Sequence, residues 1–265
     1  MLAAITGVLL TVAGCSSSSS ASSSSATAPA PSASVTAAPA TSGAAGTAGS
    51  SAATPSAPTT PLAAATGQLT GTQLESVLPP ATDFPAGFAT PSGSPISSGG
   101  SLTTGPATYN LATISCATFI QHLGTVGFGE TAMVSGSVAD SGQAYDQLIY
   151  QFGTASAASA FVTGIQALAG RCGSFTAAAN GSTGTFSLRA TQGTPVGGHP
   201  ALEVLQTGTL AKSKLVLDTL FCASGVDVFA ASGVGVGGAA APATPAKATI
   251  VYTMMQRQAA EAVLG

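Results

Sequence analysis

Residues 147–173, which read QLIYQFGTASAASAFVTGIQALAGRCG, carry the clearest secondary-structure pattern in the chain. The apolar run at residues 148–152 predicts a strand, and Thr154 is placed to cap a helix that follows it. Gly173 is expected to adopt the left-handed conformation that closes many helices. The apolar residues of this helix recur at intervals of three and four, which places them on one face. They are Ala158, Phe161, Ile165, Leu168 and Cys172. The pattern therefore predicts a strand followed by a helix whose buried face ends in a cysteine.

A second cysteine lies on a similar pattern. Residues 112–123 predict an amphipathic helix with Cys116 on its apolar face. Because Cys116 and Cys172 occupy matching buried-face positions, we expect a disulfide between them. A pairing of either one with Cys222, or no pairing at all, remains open at this point. Cys222 lies in an apolar strand candidate, and we interpret it as a buried thiol that packs as a small hydrophobic side chain.

The rest of the pattern indicates the fold class. Residues 72–75 match a capping box before a short helix, and Thr244 is placed to cap a helix near the C-terminus. Further strand candidates lie at residues 132–138, 185–189, 201–207, 214–223 and 226–231. We summarise the pattern as about four helices and about five strands. Several strands adjoin without a helix between them, which favours an α+β fold with a largely antiparallel central sheet and packed helices.

The charged residues define where that fold begins. All nine acidic and all six basic residues lie from Glu75 onward. We therefore expect one globular domain at residues 68–265, which is long enough to bury a sizeable core. The net charge of −3 and the scarcity of Lys and Arg argue against nucleic-acid binding, which requires clustered cations.

The N-terminal residues have the character of a secretion signal. Residues 1–14 are mostly apolar and precede Cys15 in the tetrapeptide VAGC. The apolar run is shorter than the roughly 20 residues that cross a bilayer. The tetrapeptide resembles the lipobox of bacterial lipoproteins, which implies cleavage before Cys15 and lipid attachment to its sulfur. A signal peptide normally starts with basic residues, so we expect that this one is truncated at its start. An uncleaved apolar tail with a chance cysteine is the alternative.

Residues 15–67 form a low-complexity tract of Ser, Ala, Thr, Pro and Gly without charges. Such a tract cannot bury enough apolar surface to offset the entropy lost on ordering, so it predicts a disordered linker. A flexible coil of this length has a root-mean-square reach of ~40 Å. We therefore expect the linker to carry the domain from the outer face of the cytoplasmic membrane into the cell wall.

No motif in the sequence indicates catalysis, a cofactor or a metal. G-x-S-x-G, H-E-x-x-H and P-loop patterns are absent, and the acidic residues show no paired spacing. A metal site is not expected, because no two cysteines are close in sequence. Gly233, Gly235 and Gly238 fit G-x-G-x-x-G by letter. Pro242 prevents the helix that a dinucleotide site would need there, so we interpret these glycines as a flexible loop.

A few polar residues remain as candidate sites. His199 follows two glycines and is the best single candidate for a polar ligand site, with an exposed loop histidine of no role as the alternative. His122 lies off the apolar face of its helix and is expected to be solvated. Lys212 and Lys214 are expected to face the same side of a strand, either as an ordinary solvated edge or as a small anion-binding patch.

The combination of leader, linker and cysteine-bearing helices has a known counterpart. The motifs are ISC at residues 114–116, IYQF at residues 149–152 and the alanine-rich helix that ends in Arg171 and Cys172. Together they resemble the extracellular sensor domains of actinobacterial PknH-type serine/threonine kinases and their stand-alone lipoprotein relatives. The resemblance covers about residues 68–265. It implies an α+β domain with a central sheet, a disulfide between Cys116 and Cys172, and a cleft suspected of binding a ligand.

The sequence therefore predicts a non-enzymatic, membrane-anchored extracytoplasmic lipoprotein. Its domain is expected to bind an unknown ligand or envelope protein as a sensor-like module, without a cofactor. Two alternatives remain. One is a structural or interaction lipoprotein without a small-molecule pocket, and the other is a cell-wall hydrolase of unrecognised type.

Overall fold

A computed structural model describes residues 62, 68–69, 71–84, 87–88, 109–139, 143–179, 182–237, 241 and 244–264. The predicted signal peptide, Cys15 and most of the predicted linker lie outside these residues. The described part is a seven-stranded antiparallel sheet with helices, which confirms the predicted α+β class. None of the helices in the described ranges is long and apolar enough to cross a membrane.

The elements follow one another in a simple order. The strands are β1 (Ala132–Ala139), β2 (Gln143–Gln151), β3 (Phe175–Ala179), β4 (Ser182–Val196), β5 (His199–Leu210), β6 (Ser213–Ser224) and β7 (Asp227–Val236). The α-helices are α1 (Gly71–Val77), α2 (Cys116–His122), α3 (Ala155–Arg171) and α4 (Thr244–Leu264), and a short 3-10 helix spans Ala81–Asp83. The strand order across the sheet is β1-β2-β7-β6-β5-β4-β3.

Helices pack on both faces of the sheet and create two hydrophobic cores. Successive side chains of a strand point to opposite faces, so each strand contributes to both cores. On one face α2 and α3 pack over Tyr150 and Phe221. On the other face α1 and α4 pack over Ile149 and Phe229. The sheet is thus the middle layer of a three-layer arrangement.

The predicted strand and helix at residues 147–173 are confirmed. Thr154 Oγ1 accepts a hydrogen bond of 3.1 Å from the N–H of Ala157, and all five predicted apolar positions are buried. The expectation for Gly173 was wrong, because this glycine has no positive φ. The N–H of Cys172 instead bonds to the carbonyl of Ala169, and the carbonyl of Cys172 accepts from the N–H of Leu188 at 2.8 Å. Because β4 already donates a hydrogen bond to the end of the helix, the helix does not require a left-handed conformation at Gly173.

The predicted disulfide joins Cys116 to Cys172, with a Cα–Cα distance of 5.7 Å. It ties the first residue of α2 to the end of α3. Cys222 is buried and free, as predicted. Burial raises the pKa of its thiol to about 12, so this residue stays protonated at neutral pH.

The second predicted helix is shorter at its start than the sequence indicated. It begins at Cys116 rather than at residue 112, because Ser115 is its N-cap and accepts a hydrogen bond of 3.0 Å from the N–H of Thr118. Gly124 follows the helix with a φ of 86°. Its N–H donates to the hydroxyl of Tyr150 at 2.8 Å, which connects the end of α2 to β2.

The sheet is larger than predicted. β3 was not predicted, and β4 has 15 residues where the sequence indicated residues 185–189. Gly233 and Gly235 lie within β7, so their interpretation as a flexible loop was wrong. Gly233 is held between Tyr145 of β2 and Asp218 of β6, and pairing on both sides keeps this glycine-rich segment extended. Gly238 lies outside the described residues.

Candidate functional site

Three adjacent strands present an exposed surface on the same side of the sheet as α4. The strand register aligns Thr185 with Thr209 and Lys214, and it aligns Arg189 with Leu205 and Asp218. Helix α4 packs on β7, on β6 and on part of β4, and leaves the remainder of this surface open. We call it the β4–β6 face and define it by Thr185, Ser187, Arg189, Thr191, Glu203, Leu205, Thr207, Thr209, Lys214, Val216 and Asp218.

One end of the β4–β6 face is rich in hydroxyl groups. Ser187 and Thr207 are paired across strands, and their hydroxyl oxygens are 2.9 Å apart. With Thr185, Thr209 and Lys214 they line a shallow groove of about 420 Å³. Hydroxyl groups can both donate and accept hydrogen bonds, so this end can bind polar ligand groups of either kind.

The other end of the face is charged. Lys247, near the start of α4, is completely buried, and its Nζ lies 3.1 Å from Glu203 Oε1. The same nitrogen also forms an ion pair with Asp218 Oδ2. A buried ammonium group requires such counter-charges, because the loss of hydration costs several kcal/mol. Two carboxyl groups thus share one buried ammonium partner.

The two carboxylates of the cluster are partly accessible. The side chains of Glu203 and Asp218 are 22% and 17% exposed. Burial raises the pKa of Asp218, the hydrogen bond and charge of Lys247 lower it, and the adjacent Glu203 raises it again. Both carboxylates line a second groove of about 230 Å³, together with Arg189, Thr191 and Leu205. The charged end is therefore a groove and not a sealed ion pair.

Leu205 and Arg189 distinguish this groove from an ordinary solvated strand surface. Leu205 is 37% exposed and is the single large hydrophobic side chain that is exposed among the described residues. Arg189 is also exposed, and within the described ranges it has no ion-pair partner. The groove thus holds an uncompensated cation, an apolar side chain and an acidic cluster on three neighbouring strands.

The structure places His199 away from the β4–β6 groove. Gly197 and Gly198 have φ values of 57° and 82° and form the turn between β4 and β5, so His199 is the first residue of a strand. Its expected loop position was therefore wrong. The ring is half-buried, and Nε2 lies 3.0 Å from the carbonyl oxygen of Leu62. The N–H of Leu62 donates to the carbonyl of Gly197 at 3.0 Å. Leu62, which the sequence placed in the linker, thus contacts the domain.

A serine also lies near His199. Ser224 Oγ is 3.4 Å from His199 Nε2, but Ser224 is only 3% exposed. A hydrolytic triad places the histidine between the serine and a carboxylate. In the described part of the chain no carboxylate pairs with His199. The arrangement is therefore not that of a triad.

Two further expectations were wrong. His122 is half-buried and not fully solvated, because its ring stacks on Tyr109 with a centroid distance of 4.4 Å and lies 3.1 Å from the tyrosine hydroxyl. Lys212 and Lys214 do not share one side of a strand. Ala211 and Lys212, with φ values of 49° and 70°, form the turn between β5 and β6, and only Lys214 lies on β6.

The charged cluster was not predicted from the sequence. One signal was available for Lys247, which is followed by Val251, Met254 and Gln258 at helical intervals and is buried with them. In a chain with only six Lys and Arg residues, a lysine within an apolar helical stripe indicates a buried ion pair. Its partners come from β5 and β6, and no local motif connects them.

The fold has counterparts among solved structures. No family model matches the chain, and no curated protein matches it. The structure is similar to the extracellular domain of PknH from Mycobacterium tuberculosis, at 17% sequence identity and a TM-score of 0.49. The match covers 73% of this chain and 98% of that domain.

Proposed function

We propose that this protein is a non-enzymatic binding module that a lipid at Cys15 anchors outside the cytoplasmic membrane. The binding surface is the β4–β6 face. The observation that carries this proposal is the exposure of Leu205 at the centre of a groove that also contains charged groups. Binding surfaces typically combine apolar area with a few polar groups that orient the ligand. The VAGC tetrapeptide supports the lipid anchor, and the absence of a recognised catalytic motif supports a binding role.

Ligand binding is tested by thermal-shift screening of the full chain with envelope lipids, glycans and peptides. A ligand that binds only the native state raises the melting temperature, and the rise increases with the logarithm of the ligand concentration above Kd. The Leu205→Arg variant should lose the shift, because the new side chain fills the groove. Gln166→Arg adds the same charge on the exposed side of α3 and should keep it. Equal shifts in both variants would show that the ligand binds elsewhere, and no shift across the panel would contradict the binding role.

Membrane anchoring is tested separately by fractionation of cells. The Cys15→Ala variant should move from the membrane fraction to the soluble fraction or the medium. Cys222→Ala removes a buried cysteine and should leave the wild-type distribution. Membrane retention of the Cys15→Ala variant would refute the lipid anchor without affecting the proposal for the β4–β6 face.

A protein partner is the second candidate function. The grooves of the β4–β6 face are shallow, and an open sheet surface of this shape also fits a flat macromolecular partner. In that case no small ligand would shift the melting temperature. Photo-crosslinking from position 205 in intact cells would yield a defined adduct, and crosslinking from position 166 would not.

A further inference from the structure

The six Lys and Arg residues of the domain divide into two groups of three. The members of the first group have partners, because Lys247 and Arg257 form ion pairs and Arg171 donates to two backbone carbonyls. The members of the second group are exposed and have neither kind of partner among the described residues. They are Arg189 and Lys214 of the β4–β6 face and Lys212 of the adjoining turn. The unpaired positive charge of the described ranges is thus concentrated at this face.

Two of these cations lie diagonally on either side of Thr207. Thr207 on β5 is aligned with Ser187 on β4 and with Val216 on β6. Arg189 follows Ser187 by two residues and Lys214 precedes Val216 by two, so both are diagonal neighbours of Thr207 on one face of the sheet. Diagonal neighbours are about 7–8 Å apart, a distance that long side chains can span. An anion above Thr207 can therefore contact both cations.

Hydroxyl groups complete the surroundings of this position. The oxygens of Ser187 and Thr207 are 2.9 Å apart, and one hydroxyl donates to the other. The second hydrogen of the pair remains available to a ligand. Thr185 and Thr209 are exposed, are aligned with Lys214 and line the same groove. The groove thus combines cations with hydroxyl groups, which suits a ligand that carries both an anionic group and hydroxyl groups.

The acidic residues of the face do not pair with these cations. Asp218 is also a diagonal neighbour of Thr207, but its Oδ2 is bound by Lys247 and its Oδ1 is buried. Oε1 of Glu203 is bound by the same lysine. Neither acid forms an ion pair with Arg189 or Lys214. Charge complementarity therefore favours an anionic ligand at the hydroxyl-rich end of the face.

We propose that the hydroxyl-rich groove binds the phosphate monoester of a sugar. The phosphate, with a charge of about −1.5 to −2 at neutral pH, lies over Thr207 and accepts charge-assisted hydrogen bonds from Arg189 and Lys214. The sugar hydroxyls form hydrogen bonds with Thr185 and Thr209. The groove volume of about 420 Å³ is sufficient for a small ligand of this class. This inference rests on the proposed binding role of the β4–β6 face and specifies its ligand.

The test is isothermal titration calorimetry of the full chain with glucose 1-phosphate. Glucose lacks the phosphate and inorganic phosphate lacks the sugar, so each should bind about tenfold or more weakly. Salt at about 1 M, where the Debye length is about 3 Å, should weaken binding of glucose 1-phosphate, because it screens exposed charges. The proposal would be overturned by no binding of glucose 1-phosphate, or by equal affinity for either of the two simpler compounds.

Variants identify the cations that bind the phosphate. Arg189→Ala and Lys214→Ala should each weaken binding of glucose 1-phosphate about tenfold, the usual effect of losing a charge-assisted hydrogen bond. Lys212→Ala is the matched control, since it removes an exposed cation from the adjoining turn, and its effect should be about twofold at most. Unchanged affinity in either Arg189→Ala or Lys214→Ala would contradict the diagonal arrangement around Thr207.

The hydroxyl at the centre of the site is tested with Thr207→Val, which should weaken binding about tenfold. Thr191→Val removes an exposed hydroxyl from the other end of the same face and should leave the affinity unchanged. Equal affinities of these two variants would refute the position of the phosphate. If glucose 1-phosphate does not bind, while a panel ligand of another class gives a thermal shift that is lost in Leu205→Arg, this inference fails and the proposed function stands.

Discussion

Lys247 Nζ forms an ion pair with Asp218 Oδ2, so the last helix of the chain provides the counter-charge for a carboxylate on β6. The lysine is completely buried, whereas both of its acidic partners reach the edge of a groove. This contact attaches α4 to the strands that carry the β4–β6 face. The stability of the domain and the charge of its candidate site therefore depend on the same cluster.

Replacement of Lys247 by methionine should destabilise the domain by about 3–5 kcal/mol, because two adjacent carboxylates would lose their counter-ion. Chemical denaturation of the Lys247→Met variant measures the effect. Adding Asp218→Asn removes one of the two stranded charges and should recover part of the loss. If the single variant is as stable as the wild type, the cluster does not attach α4 to the sheet.

Removal of the disulfide should also cost stability. Replacing Cys116 and Cys172 together by serine releases a loop with a sequence separation of 56, for which the chain-entropy model gives about 4 kcal/mol. The measurement is the melting temperature with and without a reducing agent. The Cys222→Ala variant should remain sensitive to the reductant and the double variant should not. Sensitivity in the double variant would contradict the assignment.

Asp227 should make the domain less stable as the pH rises through the acidic range. It is completely buried, and burial raises its pKa from 3.8 to about 6, although a hydrogen bond from Gln258 opposes the shift. Between these values the native state binds more protons than the unfolded state, so stability falls with rising pH, by at most about 3 kcal/mol.

Unfolding free energies at pH 4 and pH 7 test this effect of Asp227. The Asp227→Asn variant should show a smaller difference between the two pH values. It should not show a zero difference, because burial also raises the pKa of Asp146 to about 6. Asp83→Asn changes an exposed acid and serves as the control. A pH dependence that is unchanged in Asp227→Asn would refute the assignment.

Substitutions in the turn between β5 and β6 should increase the stability of the domain. Ala211 and Lys212 both have positive φ, a conformation that costs a non-glycine residue roughly 1–2 kcal/mol. The pair Ala211→Asn with Lys212→Gly supplies the residues preferred in such turns and should stabilise the domain by about 1–2 kcal/mol. The urea midpoint of unfolding reports the gain. Gly198→Ala introduces a side chain at a φ of 82° in the preceding hairpin and should shift the midpoint in the opposite direction.

The parts of the fold that the sequence predicted are those with local signals. Thr154 caps α3, and Phe161 and Ile165 are buried at the intervals that a helix requires. β3 has the sequence FTAAA, which has little strand preference, and it is extended because it pairs with β4. Gly233 was placed in a loop for a similar reason, since its extended conformation depends on pairing with two neighbouring strands.

The candidate site was less predictable than the fold. Lys247 is 44 residues from Glu203 in the chain, and only the sheet brings Glu203 and Asp218 together beside α4. Leu205 lies in an alternating pattern of residues that is typical of an ordinary strand. Its exposure depends on which part of the sheet α4 covers. Both features result from packing between residues that are distant in sequence, which short sequence motifs do not reveal.

The contact between Leu62 and the turn at Gly197 determines which end of the β4–β6 face lies nearer to the N-terminal segment of the chain. β5 starts beside this contact at His199, and Thr209 lies ten residues further along it, a distance of about 33 Å. Glu203 is only four residues from the same point, or about 13 Å. The acidic cluster therefore lies close to the point where Leu62 contacts the domain, and the hydroxyl-rich groove lies at the far end of the same strands. The two ends of one surface are thus at different distances from the N-terminal segment.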